Sequence, residues 1–455
     1  MKFKEFAVGL FSVIMTFLLS GCSVANLDSK DLMRPPKPTG EKAQIQHVIE
    51  QNAGGQKYTF KYPQSGEYRS AVILNDINGD GTEEAFGFYR TKGENPQTHL
   101  VIIDEVGTEE EKQWELVGEF TTALPEVTEV DFADINGDGV MEIIVGWNAN
   151  STVTNVLSVY SYINGECRQI SSEEIYYDFA LGDFTQSGFD SILLMNLNTA
   201  EKGAQASLYC YNDKEKKITM ISSVLMDSEV ARFYNVTAGK VDETGVYAAF
   251  ADGITGIRYN TQVIYFDVPK FQLECHVVPG GLISEYESTN MKASTVISQD
   301  INSDGIIEIP ICTKMPADTA SQGLEYAGLI SWCNYNTESE DVDVIRNVVT
   351  NNKGGFYYIM PDQWQGTVTA IISDDTKTMT FIEYRNGEMG NSFLALRKYS
   401  ASEWIDGGDM DGYSLILKNE TCAFGYKILN ESSYAPKEQE VLNSFRAMGS
   451  GETAV

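Results

Sequence analysis

Short apolar runs separated by polar turns make up most of the chain after residue 57. Ser70–Leu74 and Ala85–Tyr89 flank one such turn, and both runs contain β-branched or aromatic residues. Two runs of this kind joined by a turn predict a β-hairpin. Further runs, His99–Ile103 and Trp114–Val117, precede the next turn. Each interval therefore holds about four strands, which is the content of one β-propeller blade.

The turn itself is an internal repeat. Three copies are nearly identical: DINGDGTEE from Asp76, DINGDGVME from Asp134 and DINSDGIIE from Asp300. Two degenerate copies, DFTQSG from Asp183 and KVDETG from Lys240, lie between the second and the third. The starting positions are 58, 49, 57 and 60 residues apart. Such regular spacing predicts one turn in each of five successive blades, and it leaves a sixth or seventh blade open.

Oxygen atoms dominate the intact turns. Ca²⁺ prefers roughly six to eight hard oxygen ligands. Side chains at the first, third, fifth and ninth positions, with the seventh carbonyl, can surround one ion, and glycine at the sixth position permits the turn. An EF-hand would instead need glutamate at the twelfth position and flanking helices. The twelfth residues are Gly87, Val145 and Ile311, so an EF-hand is excluded.

Between residues 58 and 350 the chain resembles the FG-GAP/VCBS repeats of integrin α-subunit-like β-propellers, which carry a DxDGDGxxD calcium loop between the first two strands of a blade. The resemblance implies about three structural Ca²⁺ ions, each bound by four side chains and the carbonyl of the seventh residue. The implied ligand sets are Asp76, Asn78, Asp80, Thr82 and Glu84; Asp134, Asn136, Asp138, Val140 and Glu142; and Asp300, Asn302, Asp304, Ile306 and Glu308. The chain departs from the family pattern with Asn at the third position and Glu at the ninth, and both residues still offer oxygen.

The two degenerate turns predict a different outcome. The copy at residue 183 keeps one carboxylate at a ligand position, and the copy at residue 240 begins with lysine. Both are expected to keep the turn without the ion. In the intact loops we expect calcium to hold the two strands of a hairpin together and to neutralise the clustered carboxylates. A calcium ion that bridges directly to a ligand is the alternative.

Other segments flank the repeats. A short helix is predicted at Ala43–Gln51, so that residues 43–353 form the propeller with its entry helix. Residues 354–448 lack the repeat and hold four strand-like runs before a helix that opens at Pro436. This pattern predicts a small α+β domain, or extra strands for a final blade. Residues 449–455 are expected to be a flexible tail.

The C-terminal segment carries two side-chain patterns. The predicted helix would place four apolar residues on one face: Val441, Leu442, Phe445 and Met448. Three aromatic residues precede it: Tyr357, Tyr358 and Trp364. They could line a binding surface, but core packing is the favoured interpretation.

The N-terminus has the pattern of a bacterial lipoprotein signal peptide over residues 1–21. Two lysines precede an apolar run, Ala7–Leu19, which is shorter than the roughly 20 residues needed to span a bilayer. Leu-Ser-Gly-Cys follows at 19–22 and resembles a lipobox, so Cys22 is the predicted lipidation site. An ordinary secretory peptide with an incidental cysteine is the alternative. Residues 22–42 contain Arg-Pro-Pro-Lys-Pro and predict a stiff tether, or else a peptide recognised by a partner.

The formal charge is −32 at pH 7 for the whole chain, and −33 without residues 1–21. This balance argues against nucleic acid and anionic lipid as partners, and it suits bound divalent cations. The cysteines after Cys22 are far apart and form no CxxC pair, so we expect buried free thiols rather than zinc or disulfides. Only three histidines are present, which disfavours histidine-based sites.

Together these features predict a lipid-anchored protein on the extracytoplasmic face of the cell membrane that binds a protein or glycan. An enzyme acting on polysaccharides is the alternative, because propellers also hold active sites in their central channels. No catalytic carboxylate pair stands out from the calcium ligands and the surface charge. A third hypothesis is an accessory subunit of an envelope complex.

Overall fold

The computed structural model describes residues 40–108, 111–149, 155–163, 166–197, 203–256, 258–282, 296–317, 325–408 and 410–448. The predicted signal peptide, Cys22, nearly all of the tether and the C-terminal tail lie outside these ranges. Within them, neither helix combines the length and apolarity that crossing a bilayer requires.

The first half of the chain forms three antiparallel sheets. The first contains β1 (Tyr58–Phe60), β2 (Val72–Asn75), β3 (Glu84–Thr91), β4 (Thr98–Thr108) and β5 (Glu111–Thr122). The second contains β6 (Glu126–Ala133), β7 (Glu142–Asn148), β8 (Asn155–Ile163), β9 (Glu166–Gln169) and β10 (Glu174–Tyr176). The third contains β11 (Asp178–Gly182), β12 (Ser191–Asn196), β13 (Gln205–Asn212) and β14 (Lys217–Leu225).

Three more sheets follow, and the last two exchange short strands. The fourth contains β15 (Val230–Lys240), β16 (Tyr247–Thr255), β17 (Arg258–Asp267) and β18 (Gln272–Leu282). The fifth contains β19 (Ile309–Lys314), β21 (Gly328–Asn336), β22 (Asp341–Asn351), β23 (Phe356–Met360) and β29 (Phe445–Ala447). The sixth contains β20 (Glu325–Tyr326), β24 (Val368–Ile372), β25 (Thr378–Arg385), β26 (Glu388–Ser400), β27 (Ser414–Lys418) and β28 (Cys422–Ile428).

Hydrophobic cores join each sheet to the next. The strands that follow the first three turns, β3, β7 and β12, are buried on both faces, which explains their continuous apolar runs. In β7, Val145 and Trp147 pack towards the first sheet, whereas Ile144 packs towards the third. In β12, Leu193 packs towards the fourth sheet. Further cores join the fourth sheet to the fifth and the fifth to the sixth. The protein is thus mainly β, and its succession of sheets is consistent with a β-propeller-like fold.

Helix α1 (Glu41–Asn52) covers the face of the first sheet that is turned away from the second. Ile45 and Ile49 are buried against Tyr89 and Trp114 in a separate core. A Cβ added at Gly87 of β3 would lie 2.9 Å from Cδ1 of Ile49, so the close approach requires glycine. The predicted entry helix is confirmed. None of the cores among the described residues joins the first sheet to the sixth.

The C-terminal segment does not begin a new unit at residue 354. Strand β23 pairs with β22 across that boundary, because Tyr358 lies opposite Val349. The later strands form the sixth sheet, as the alternative of extra blade strands predicted. Helix α2 (Glu438–Ser444) is shorter than expected. Phe445 is extended and pairs with Tyr358, so it packs from a strand rather than from the helix.

Two further expectations are confirmed within the described residues. Tyr357, Tyr358 and Trp364 are buried, and the last two stack in the core between the fifth and sixth sheets. The described cysteines form no disulfide bonds, and Cys312 and Cys333 are buried as expected, whereas the other four are partly exposed.

Candidate metal-binding loops

The repeated turns occupy equivalent places in successive sheets. The turn at 76–84 joins β2 to β3, and the turn at 134–142 joins β6 to β7. The degenerate turns join β11 to β12 and β15 to β16. The turn at 300–308 precedes β19, and a bridge between Gln299 and Glu308 closes it. Strands rather than helices flank the turns, as expected.

The sixth position has the same backbone conformation in all five turns. Its φ is positive, which glycine adopts without steric cost. The values are 88° at Gly81, 85° at Gly139, 91° at Gly188, 88° at Gly245 and 83° at Gly305. The degenerate turns therefore keep the backbone, as predicted.

The first residue organises the turn through its carboxylate. Asp76 accepts hydrogen bonds from the N–H groups of Gly79 and Gly81 at 2.8 and 3.0 Å. Asp134 and Asp300 accept the equivalent bonds, and so does Asp183 from its sixth-position glycine at 2.8 Å. The fifth residue accepts from the seventh N–H in each intact turn, as Asp80 does from Thr82 at 2.8 Å. These bonds fix each aspartate carboxylate to the backbone of its own turn.

The ninth residue is a fully buried glutamate in each intact turn. Glu84, Glu142 and Glu308 all have zero exposure. Each carboxylate accepts a hydrogen bond from the N–H of the second loop residue at 2.9–3.0 Å. The third-position asparagine also donates to it, at 2.7 Å in the first loop, 2.6 Å in the second and 3.4 Å in the third.

Burial shifts the acidity of these glutamates. Loss of hydration is the main cause that raises the pKa of Glu84, Glu142 and Glu308 from 4.5 to about 7 in each case. Neighbouring aspartates of the same loops raise it further, and the backbone N–H of the second residue opposes the shift. In the first loop, hydrogen bonds from Thr82 lower the pKa of Asp80.

The loops suit a hard cation by their chemistry. Each offers three carboxylates, an amide oxygen and a backbone carbonyl, and no described Lys or Arg forms a salt bridge with any of these carboxylates. Within the described ranges, no three His, Cys, Asp or Glu side chains already converge as a metal site. Carboxylate oxygens carry two lone pairs each, so a hydrogen-bonded oxygen can still bind an ion. The donor set fits Ca²⁺, which accepts flexible oxygen coordination.

Hydrogen bonds link neighbouring turns to one another. The N–H of Met141, in the second turn, donates to the carbonyl of Ile77, in the first, at 2.8 Å. The backbone N–H of Asp190 donates to the carbonyl of Asp134 at 2.8 Å, and the N–H of Ile307 donates to the carbonyl of Lys240 at 3.0 Å. Between the third and fourth turns, the rings of Phe184 and Tyr247 meet edge to face at 5.5 Å. The five turns therefore form one row at the ends of the strands, in which each turn contacts the next.

The predicted ligands thus fall into three separate loops, and in each loop the three carboxylates accept hydrogen bonds from N–H groups of the same loop. The structure also places residues beside the loops that the sequence did not single out. Asp104, Ser161 and Asn334 lie on β4, β8 and β21, the strands that pair with β3, β7 and β19, and are next to the ninth-position glutamates in strand register. Arg346 contacts the last intact loop. They lie 19 to 38 residues from the nearest ninth-position glutamate and carry no local motif, so only strand register could reveal them.

No family model matches this chain, and no curated protein matches it. Three solved structures show limited similarity. The exotype rhamnogalacturonan lyase YesX is 10% identical over 75% of this chain and 74% of its own, with a TM-score of 0.29. Sqt1 of Saccharomyces cerevisiae is 9% identical over 74% of this chain and 86% of its own, with a TM-score of 0.33. Sqt1 of Chaetomium thermophilum, bound to the N-terminus of the ribosomal protein L10, is 9% identical over 76% and 93%, with a TM-score of 0.26. At these scores the fold description depends on strand order and register alone.

Proposed function

We propose that the protein is an exported lipoprotein, anchored through Cys22, whose β-propeller-like body binds a protein or glycan outside the cell. The observation that carries this proposal is the row of equivalent turns on one face, three of which combine aspartates with a buried glutamate. A body outside the membrane meets calcium concentrations that can fill modest sites. The cytosol rarely offers them.

The six sheets support a propeller of FG-GAP/VCBS type with five loop-bearing blades and a sixth without a loop. Four of the loops join two successive strands of one sheet, and the last lies between the bridge residue Gln299 and β19, which resembles the place of the family's calcium loop between the first two strands of a blade. Calcium in Asp76–Glu84, Asp134–Glu142 and Asp300–Glu308 would supply positive charge to carboxylates that have no basic partner in the described part of the chain. The bound ions would hold each turn in shape and so keep the loop-bearing face rigid for a ligand.

Ion counting tests the calcium sites. The full chain, purified in detergent and equilibrated with Ca²⁺, should bind about three ions. Asp134→Ala should remove one, because it deletes the carboxylate that organises its loop. Asp183→Ala is the matched control: it deletes the equivalent carboxylate, which accepts from the N–H groups of Ser187 and Gly188 in a degenerate turn, and should leave the count unchanged. If the native chain binds no calcium at millimolar free concentration, the calcium part of the proposal is wrong.

Fractionation of cells tests the anchor. Cys22→Ala should move the protein from the membrane fraction to the soluble exported fraction, since no other lipidation site is proposed. Cys167→Ala, which changes a partly buried thiol in β9, should leave the protein with the membrane. Membrane association of the Cys22→Ala protein would contradict anchoring through this residue.

A second candidate function, a polysaccharide-active enzyme, is favoured by one observation. Glu129 and Asp131 project from the same face of β6, and Asp178 lies on the neighbouring β11. Burial, and then the charge of Glu129, raises the pKa of Asp131 and of Asp178 to about 7, a range that suits a general acid. A screen of polysaccharides with turnover detection separates the two functions. Product that accumulates with the native chain but not with Asp131→Asn would favour the enzyme, and binding without turnover would favour the module.

A further inference from the structure

The three intact loops are alike in sequence but differ in the groups beside them. The strand that follows each intact loop pairs antiparallel with its neighbour, β3 with β4, β7 with β8 and β19 with β21, and the register of each pair can be followed to the ninth loop residue. Ala85 lies opposite Ile103, so Glu84 is next to Asp104. By the same rule Glu142 is next to Ser161, and Glu308 is next to Asn334.

The first loop has an additional negative charge. Asp104 accepts hydrogen bonds from the hydroxyl of Tyr162 and from its own neighbour's N–H, each at 2.7 Å. Its carboxylate therefore stays beside the buried Glu84. Lys112, whose charge contributes to lowering the pKa of Asp80, forms a salt bridge with Glu105 at 3.3 Å, which reduces its effect on the loop.

The second loop has a neutral neighbour. Ser161 is 1% exposed, and its side chain lies close enough to Glu142 that hydrogen bonding from the hydroxyl opposes the rise in the pKa of that carboxyl. The contact is too irregular to count as an ordinary hydrogen bond among the described residues. Its position next to Glu142 leaves it available to orient that carboxylate when a cation binds.

The last intact loop has a positive neighbour. The guanidinium of Arg346 donates to the carbonyl of Ile301, the second loop residue, at 3.3 Å. Asn334, next to Glu308, is neutral, and its buried amide oxygen has no hydrogen-bond partner among the described residues. Among the described residues, this is the only loop that combines a full set of ligands with an arginine in contact.

We propose that the three loops form a graded set of Ca²⁺ sites, tightest at residues 76–84 and weakest at residues 300–308, and that Asp104 and Arg346 set the grade. The proposal rests on the calcium function proposed above. A divalent ion is attracted by the charge of Asp104 and repelled by that of Arg346, and both groups act at the partly desolvated edge of a loop. Calcium affinity in loops of this kind follows the number of charges around the ion.

The test is a calorimetric Ca²⁺ titration of the full chain in detergent. The native chain should show about three sites of different affinity, and Asp300→Ala should remove the weakest. Arg346→Gln should tighten the weakest site about tenfold, because it removes one unit of repulsion. Arg346→Lys is its matched control and should leave that site unchanged.

A second pair of variants tests the site of highest proposed affinity, at residues 76–84. Asp104→Asn should weaken the tightest site about tenfold. Asp213→Asn, at a side chain that is 86% exposed on the turn between β13 and β14, makes the same change in net charge and should have no effect. Each variant is compared with the native chain by its unfolding midpoint in chelator, so that a folding defect is recognised before affinities are compared.

The outcomes distinguish the two proposals. Three sites of equal affinity, or sites that do not respond to Arg346→Gln and Asp104→Asn, would overturn the grade and leave the calcium function intact. A native chain that binds no calcium would overturn both.

Discussion

Removal of calcium should lower the thermal unfolding midpoint of the full chain by on the order of 10 °C at pH 8. An ion present at a hundred times its dissociation constant stabilises the folded state by about 2.7 kcal/mol, and three such ions contribute about 8 kcal/mol. For a folded body of about 400 residues the unfolding entropy is roughly 0.8 kcal/mol/K, so each kcal/mol shifts the midpoint by about 1 °C. Scanning calorimetry with and without chelator measures the change.

The same shift should depend on pH. Glu84, Glu142 and Glu308 have pKa values of about 7 in the metal-free fold, above their ordinary 4.5. The folded state then holds protons that the unfolded state has lost, so metal-free stability falls as pH rises from 4.5 through 7. The cost is about 1–3 kcal/mol for each glutamate. Bound calcium replaces these protons, and its effect should therefore be small at pH 5 and large at pH 8.

Two control conditions show whether the loss of stability in chelator is specific to Ca²⁺. Mg²⁺ at the same concentration should restore much less stability, because it needs rigid octahedral geometry and keeps its water. Addition of Ca²⁺ after chelation should restore the original midpoint. Superimposable unfolding curves with and without chelator at pH 8 would show that the loops need no ion for stability.

The loops could be predicted from sequence because their determinants are local. Asp76 needs only the N–H groups three and five residues later, and Gly81 needs only its own positive φ. The degenerate turn at residue 183 keeps both determinants and therefore keeps the turn. A short repeat thus encodes its geometry within six residues, whatever sheet it serves.

Sheet membership could not be predicted in this way because it depends on distant pairing. Phe356–Met360 has the pattern of a strand, but only its pairing with Asp341–Asn351 assigns it to the fifth sheet. The apolar pattern also extends helix α2 beyond its true end at Ser444, for the same reason. Phe445 fits the apolar face of a helix, yet it leaves the helix to pair with Tyr358. The periodicity of apolar residues predicts which side chains are buried. It does not predict which strand or helix they pack against.

Asp252 determines how two sheets are joined, although no sequence motif marks it. This fully buried aspartate lies in the middle of β16, with Asn235 on β15 and Thr261 on β17 as its cross-strand partners. Its carboxylate accepts from the Thr261 hydroxyl at 2.6 Å and from the Asn235 amide at 3.0 Å. Ser298, in the segment that leads into the last intact loop, donates its N–H and its hydroxyl, each at 2.7 Å. One side chain therefore fastens the fourth sheet to the start of the fifth.

Asp252→Ala should lower the free energy of unfolding by about 3–5 kcal/mol, since it leaves these buried donors without an acceptor. Burial raises the pKa of Asp252, and the donors oppose this shift, so the charge is tolerated only while they are in place. Urea unfolding monitored by tryptophan fluorescence measures the loss. Asp213→Ala, at an exposed turn, should change stability by less than about 0.5 kcal/mol. Equal midpoints for the two variants would show that the fourth and fifth sheets are joined by their apolar core alone, whereas a loss confined to Asp252→Ala would make this buried carboxylate the polar link between them.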